Sequence, residues 1–158
     1  MAPTADATIS ALRSTHDELA AVVRGLTDEQ LLAASGAAEW PVAQVLSHLG
    51  SGAEISRATL QAATGSGEAR GDGCDQSVWD RWNARSLREQ ADDFLTADDE
   101  LVATFEALTP EQRSDLQVDL GFLPAPLPLA SYAGMRLNEA AQHSWDVRVA
   151  FDDHAAID

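Results

Sequence analysis

The sequence predicts an all-α fold, a four-helix bundle with short extra helices and a long crossover segment. Four long segments carry apolar residues every three or four positions, which is the spacing of one buried helical face. No segment alternates apolar and polar residues in the way that a half-buried strand would. Two short stretches open with a threonine followed three positions later by a glutamine, a pair typical of helix starts, at Thr27/Gln30 and Thr109/Gln112. With 158 residues, the chain is expected to form one domain, 1–158.

The first two long helices are separated by one of these short helices. The first is predicted from about Asp6 to Gly25, where the glycine ends it. His16 lies in its apolar stripe, and we expect a buried histidine satisfied by one hydrogen bond rather than a metal ligand. The second begins at Pro41, whose fixed φ suits the first helical position, and runs to about Ala63.

A polar, glycine-rich surface loop is predicted next, from Thr64 to Ser77. Cys74 in this loop has no adjacent basic residue, so a nucleophilic role is not expected. The stretch Val78–Asn83 either starts the third helix or precedes it, and the apolar stripe of that helix is clear from Leu87 to Leu108. The acidic face of the same helix is expected to be solvated surface, namely Asp92, Asp93, Asp98, Asp99 and Glu100.

An extended crossing segment is predicted at Asp119–Pro128, because its alternate prolines cannot continue a helix. Phe122 and Leu123 in this segment are expected to help wall a pocket at the mouth of the bundle. The fourth long helix follows at Leu129–Phe151, and the end of the chain, 152–158, is expected to fray.

The fourth helix carries two potential metal ligands. Glu139 and His143 stand one helical turn apart on the same face, so that both can reach one ion. A zinc-type ion needs three or four donors, and a catalytic site takes three of them from the protein. His48, on the border of the apolar stripe of the second helix, is the candidate third ligand. The chain has neither a His-Glu-x-x-His motif nor paired Glu-x-x-His motifs, which disfavours a zinc peptidase and a di-iron site.

Three short motifs, taken together and in this order, resemble a known family. They are Trp40-Pro41-Val42 followed by Val45–Leu49, then Val78–Asn83, then Arg136-x-x-Glu139-x-x-x-His143-x-Trp145-Asp146. This pattern resembles the DinB-like (YfiT-like) metal-binding four-helix bundles, and within them the mycothiol-dependent maleylpyruvate isomerase N-terminal domain group. The resemblance implies that His48, Glu139 and His143 bind a divalent metal, usually zinc.

The same resemblance implies a chemistry, in which the metal presents a low-molecular-weight thiol, mycothiol, to a small electrophilic substrate. The expected activity is that of an S-transferase or an isomerase, with mycothiol as co-substrate. Arg136 and Asp146 lie near the ligands on the same helix and either orient a ligand histidine, hold an anionic substrate or form ordinary ion pairs. Maleylpyruvate isomerases carry a second domain, so a stand-alone transferase is favoured, unless this chain is the N-terminal domain of a longer protein.

Three further residues are candidates for a cofactor pocket, and each has a purely structural alternative. Gly52 lies one turn beyond His48, where a missing side chain either opens room beside the metal or lets two helices pack closely. Trp79 and Trp82 either line the rim of the pocket or cap the core of the bundle.

Composition narrows the range of partners. The net charge is −16 and the ten basic residues, all arginines, form no cluster, so nucleic acid is not expected as a partner. No apolar run approaches the roughly 20 residues that span a bilayer, and the N-terminus has no secretory leader pattern, so we expect a cytoplasmic protein that is not bound to a membrane. A single cysteine allows no intrachain disulfide. A homodimer is possible, since DinB-like bundles often pair.

Two other functions stay open at this point. One is a non-catalytic bundle that binds a metal or a small ligand, which a closed fourth protein ligand would favour. The other is an iron site that carries out oxygen chemistry, which metal identity and redox activity would reveal.

Overall fold

The protein is all-α apart from a minimal two-stranded sheet, as the sequence predicts. A computed structural model of the chain describes residues 4–71 and 73–157. The four long helices are α1 (Ala5–Val23), α3 (Val42–Thr64), α5 (Leu87–Glu106) and α7 (Leu129–Arg148). Three shorter helices are α2 (Asp28–Leu31), α4 (Cys74–Asn83) and α6 (Pro110–Asp115). Two antiparallel strands of two residues each, β1 (Gln117–Val118) and β2 (Leu127–Pro128), hold the ends of the crossing segment together.

The long helices pack in a ring around the core. Helix α3 lies along α5 and α1 lies along α7, while α1 also contacts α5 and α3 contacts α7. Helices α3 and α7 run antiparallel: His48 lies beside Glu139, and further along α3 the Tyr132 hydroxyl donates to the Ser56 carbonyl over 2.9 Å. The first half of α3 is therefore beside the second half of α7, which carries the candidate ligands.

The helix starts follow local side-chain chemistry. Both predicted capping boxes, at Thr27/Gln30 and Thr109/Gln112, are present, and a third one at Ser86/Glu89 starts α5. Pro41 is the residue before the first turn of α3 rather than the first helical residue, with an extended ψ of 162°. Its ring still leaves no backbone N–H to satisfy at the helix start.

The loop after α3 is shorter than the sequence predicts. Helix α4 begins at Cys74, so the final residues of the predicted loop are helical, and Val78–Asn83 belongs to a separate helix before α5. Asp72, inside the predicted loop, lies outside the described residues. Cys74 is free and partly buried at the start of α4.

The end of the chain is held against α7 over 152–157, contrary to the expectation of a fraying terminus. The indole of Trp145 donates to the Ala155 carbonyl over 2.9 Å, and Arg148 donates to the Ala156 carbonyl over 2.7 Å. These contacts are invisible in the sequence because they join side chains to backbone carbonyls. Asp158 lies outside the described residues.

The surface carries many ion pairs between helices. Arg13 on α1 contacts Asp99 and Glu106 on α5, and Arg57 on α3 contacts Glu100 on α5.

Over residues 4–71 and 73–157, no helix combines the length and the apolar character needed to cross a bilayer.

Candidate metal centre

Three of the predicted site residues meet where α3 and α7 face each other. His48 Nε2 lies 3.2 Å from Glu139 Oε2, and His143 Nε2 lies 3.5 Å from the same oxygen. The ligand atoms of all three side chains lie within 4.8 Å of one another. Donor atoms around a tetrahedral zinc ion are about 3.3 Å apart, given bond lengths of about 2.0–2.1 Å. The geometry suits a metal of this type, while binding itself stays a prediction.

The orientation of His143 is set by Asp146, one turn further along α7. The Asp146 Oδ2 atom lies 2.8 Å from His143 Nδ1. Because an ionised carboxylate only accepts hydrogen bonds, Nδ1 is the donor in this contact, and Nε2 is the ring nitrogen that faces Glu139. This arrangement of carboxylate, histidine and candidate metal position is the one that orients ligand histidines in metalloproteins. Of the three roles open to Asp146 from the sequence, this contact favours that of orienting a histidine.

The segment between α2 and α3 covers Asp146. The Gly36 N–H donates to the Asp146 carbonyl over 2.8 Å. A Cβ atom on Gly36 would lie 2.8 Å from Asp146 Oδ1 and 2.8 Å from the Trp145 ring, so only glycine fits here without displacing α7 side chains. Sequence reasoning missed Gly36, since nothing in the pattern of a short loop indicates which helix it will touch.

Trp40, at the end of the same segment, is a second residue that sequence reasoning missed as part of the site. The centre of its ring lies 5.3 Å from that of His48 and 6.3 Å from that of His143. The two imidazoles are themselves 4.7 Å apart, edge to face. The available signal was the aromatic residue directly before the proline that starts α3. Trp40 thus forms one wall of the candidate centre.

The environment of His48 favours its neutral form. Burial lowers the pKa of His48, and the hydrogen bond with Glu139 opposes this effect only in part. The positive charges of His143, when protonated, and of Arg136 lower the pKa of His48 further. The resulting pKa lies below the ordinary histidine value, so at neutral pH the imidazole is uncharged, which is the form that binds metals.

Comparison with known families gives an independent result. Residues 12–148 match the family described as the mycothiol maleylpyruvate isomerase N-terminal domain. The chain belongs to this family. The matched range includes Trp40 and all three candidate ligands, so this family assignment covers the whole centre. Searches among curated proteins and among solved structures each gave no match.

Arg136 lies on α7, three residues before Glu139, but its side chain points into the bundle. Its side chain is only 6% exposed and donates to Asp98 Oδ1 over 2.8 Å and to the Leu49 carbonyl over 3.1 Å. Asp98 is buried, which corrects the expectation of a solvated acidic face at this position. His16, 2.7 Å from Asp98 Oδ2, is the buried histidine with one hydrogen bond that the sequence predicts.

The charge of Asp98 is stabilised by its two partners. Burial raises the pKa of this carboxyl group, but the hydrogen bond from His16 and the nearby Arg136 charge outweigh it. The pKa of Asp98 therefore lies below its ordinary value, and the carboxylate stays ionised inside the bundle.

The space beside Gly52 is occupied by the side chain of Arg136 and is not an open pocket. A Cβ atom on Gly52 would lie 3.1 Å from the Nη1 atom of Arg136. Of the two explanations open from the sequence, the structure supports close packing between α3 and α7.

The two tryptophans of α4 differ in exposure. Trp82 is 2% exposed, packs onto Gly50 and donates from its indole to Glu54 over 2.7 Å. It also lines a cavity of about 420 Å³ between α3, α4 and α5. Trp79 is 41% exposed. Trp82 is thus part of the bundle core, which is the structural alternative for this residue.

Phe122, in the crossing segment, lines a cavity. This cavity, of about 510 Å³, is also lined by Thr59, Arg70 and Cys74, near the end of α3. Thr59 is 11 residues beyond His48, which corresponds to about 16 Å along a helix. Phe122 therefore lines a pocket, as expected, while Leu123 is not among the residues that line it. This pocket lies toward the other end of α3 from the candidate metal centre.

Proposed function

We propose that His48, Glu139 and His143 bind a divalent metal, with zinc the first candidate, and that the centre activates a low-molecular-weight thiol such as mycothiol. The thiol would be transferred to a small electrophilic substrate or would assist its isomerisation. The observation that carries this proposal is the convergence of the three donors from α3 and α7, within 4.8 Å of one another. The family name supports mycothiol as the thiol.

The side chains supply a suitable donor set. Two neutral imidazoles and one carboxylate leave a divalent ion with net positive charge, which lowers the pKa of a bound thiol or water. Asp146 holds His143 in the tautomer that directs Nε2 to the centre. Trp40 contributes an apolar wall beside both histidines.

Accessibility favours a catalytic centre over a purely structural one. The side chain of Glu139 is 48% exposed and that of His48 is 36% exposed, so a small molecule can approach. Among the described residues, the metal-ligand group contains three side chains, which fits a site that keeps a position for substrate. A closed fourth protein ligand would instead favour the non-catalytic alternative.

Metal analysis tests the first half of the proposal. Purified wild-type protein should contain a stoichiometric divalent metal, and His48→Ala should lose it because two protein donors rarely retain zinc. His154→Ala is the matched control, since His154 is exposed in the tail. Equal metal content in all three proteins would contradict the assignment.

A thiol screen tests the second half. Wild-type protein is incubated with a panel of small electrophiles and with mycothiol, glutathione or bacillithiol, and thiol consumption is followed. We expect turnover that His48→Ala lacks and His154→Ala keeps. A protein that binds metal but consumes no thiol would favour the non-catalytic bundle, or the N-terminal domain of a longer maleylpyruvate isomerase-like protein. Iron as the bound metal, together with redox activity, would favour oxygen chemistry.

A further inference from the structure

We infer that Arg136 is a positioning residue that sets the separation of α3 and α7 at the candidate metal centre. It does so through a buried polar network that takes one group from each of the four long helices. The inference deepens the proposed function and rests on it for its chemical meaning. Its geometric content, the distance between the two helices, can be tested without any metal.

The network is continuous and buried. His16 from α1 contacts Asp98 from α5 over 2.7 Å, and Asp98 contacts Arg136 from α7 over 2.8 Å. Arg136 also donates to the carbonyl of Leu49 on α3 over 3.1 Å. The three side chains are 4%, 6% and 6% exposed, respectively. One guanidinium thus joins α7 to both α3 and α5.

Arg136 contacts α3 at the same height in the bundle as the candidate ligands. Leu49 directly follows His48 on α3, and Arg136 precedes Glu139 by three residues, which places both on one face of α7. The bond from Arg136 to the Leu49 carbonyl therefore ties the backbone beside one ligand to the helix that carries the other two. Gly52 permits this crossing, because a Cβ atom there would lie 3.1 Å from Nη1.

Net stability does not account for this network. Buried ion pairs contribute little compared with apolar residues of similar volume, since both charges lose their hydration. In addition, Arg136 Nε is buried and has no hydrogen-bond partner among the described residues. An unpaired buried donor is a cost. Fixing the register of packed helices is the best-supported role for such a buried polar group, and it is the role that we infer for Arg136.

The test compares Arg136→Met with Arg57→Met in the metal-free protein. Arg57→Met is the matched control because it removes another inter-helix arginine pair, to Glu100, away from the centre. Nuclear Overhauser effects are measured between the rings of His48 and His143, whose centres are 4.7 Å apart. The Phe105–Tyr132 ring pair, with centres 6.1 Å apart, reports on packing elsewhere in the bundle.

We expect Arg136→Met to lose the His48–His143 signal and to keep the Phe105–Tyr132 signal, while Arg57→Met keeps both. Retention of the histidine signal in Arg136→Met would overturn the inference. If Arg136→Met loses both signals, a triple variant decides, in which His16→Leu and Asp98→Leu are added so that the network becomes apolar. A folded triple variant without the histidine signal supports the inference. A triple variant that keeps this signal, or that does not fold, overturns it.

Metal affinity provides the readout that a purely structural role would not change. Co²⁺ affinity, measured by competition with a chelator, should be about 10- to 100-fold weaker in Arg136→Met than in Arg57→Met, at equal helical content by circular dichroism. Equal affinities would count against the inference. If wild-type protein binds no Co²⁺ or Zn²⁺, the proposed function fails, and the ring-to-ring signals still decide whether Arg136 positions the helices.

Discussion

A single carboxylate decides which nitrogen of His143 faces the candidate centre. With Asp146 Oδ2 2.8 Å from Nδ1, the imidazole cannot rotate without breaking a charge-assisted hydrogen bond. The neighbouring Gly36 backbone, which donates to the Asp146 carbonyl, fixes this residue from the outer side. The orientation of His143 therefore depends on a loop that carries none of the candidate ligands.

The Asp146→Ala variant should weaken metal binding by about 10- to 100-fold, because the imidazole of His143 loses the partner that orients it. The measurement is competition for Zn²⁺ against a chelating dye. Asp153→Ala serves as control, since it removes a carboxylate from the exposed tail beyond α7. Equal zinc affinity in both variants would show that Asp146 does not support the centre.

Trp40 should report metal binding through its fluorescence. Paramagnetic Cu²⁺ or Co²⁺ bound at the centre would lie beside the indole, whose ring centre is 5.3 Å from that of His48. We expect partial quenching on titration with either ion, a loss of this quenching in Trp40→Phe, and its retention in Trp79→Phe. If Trp40→Phe is quenched as strongly as the wild type, the ion binds somewhere other than the candidate centre.

Helix α3 packs closely against two neighbouring helices at its glycines. Two of its glycines each accept a large side chain from another helix: Gly50 accepts the Trp82 ring of α4, and Gly52 accepts the Arg136 guanidinium of α7. Intrinsic helix propensity disfavours glycine at both positions, so the benefit comes from tertiary packing. The glycines of α3 are therefore explained by the side chains of α4 and α7 that pack against them.

Replacing Gly50 with alanine should destabilise the bundle by about 1–3 kcal/mol, the usual range for overpacking a core. A Cβ atom there would lie 2.3 Å from a ring carbon of Trp82, which is itself buried and hydrogen-bonded to Glu54. Gly134→Ala in α7 is the matched control. Apart from the chain neighbours and the backbone of α7 itself, no atom of the described residues lies within 4 Å of a Cβ placed there. We therefore expect a gain of about 0.5–1 kcal/mol from helix propensity. Urea unfolding measures both changes in the free energy of unfolding. If Gly50→Ala leaves this free energy unchanged, the Trp82 ring can shift without cost.

At the scale of the whole molecule, the sequence predicts what is periodic or local. The apolar stripes, the capping pairs at Thr27 and Thr109, and the burial of His16 are of this kind, and the structure confirms them. The features that the sequence could not reveal depend on contacts between residues far apart in the chain. Asp98 lies in an acidic run typical of a solvated face, yet it contacts His16, 82 residues away. Trp40 and Gly36 likewise join the site only through the fold.

The same long-range pairing determines how the acidic chain responds to low pH. With a net charge of −16, most carboxylates are exposed and repel one another at neutral pH, so protonating them relieves repulsion. Asp98 has the opposite effect, because its negative charge is paired with Arg136 and hydrogen-bonded to His16 inside the bundle. Since its pKa in the folded state lies below the ordinary aspartate value of about 3.9, the folded protein holds this proton less tightly than the unfolded chain does.

The stabilisation from Asp98 is therefore complete above about pH 4 and is lost as the pH falls through the lower, folded-state pKa. At about pH 7, we expect Asp98→Asn to be less stable than wild type by about 3 kcal/mol, since it leaves the buried Arg136 charge unpaired. Below about pH 4, this difference should shrink, because the wild-type carboxyl group becomes protonated as well. Urea unfolding between about pH 7 and pH 2 measures the difference, with the exposed Asp92→Asn as control. A gap that stays constant over this range would mean that the ionised form of Asp98 does not hold the network together.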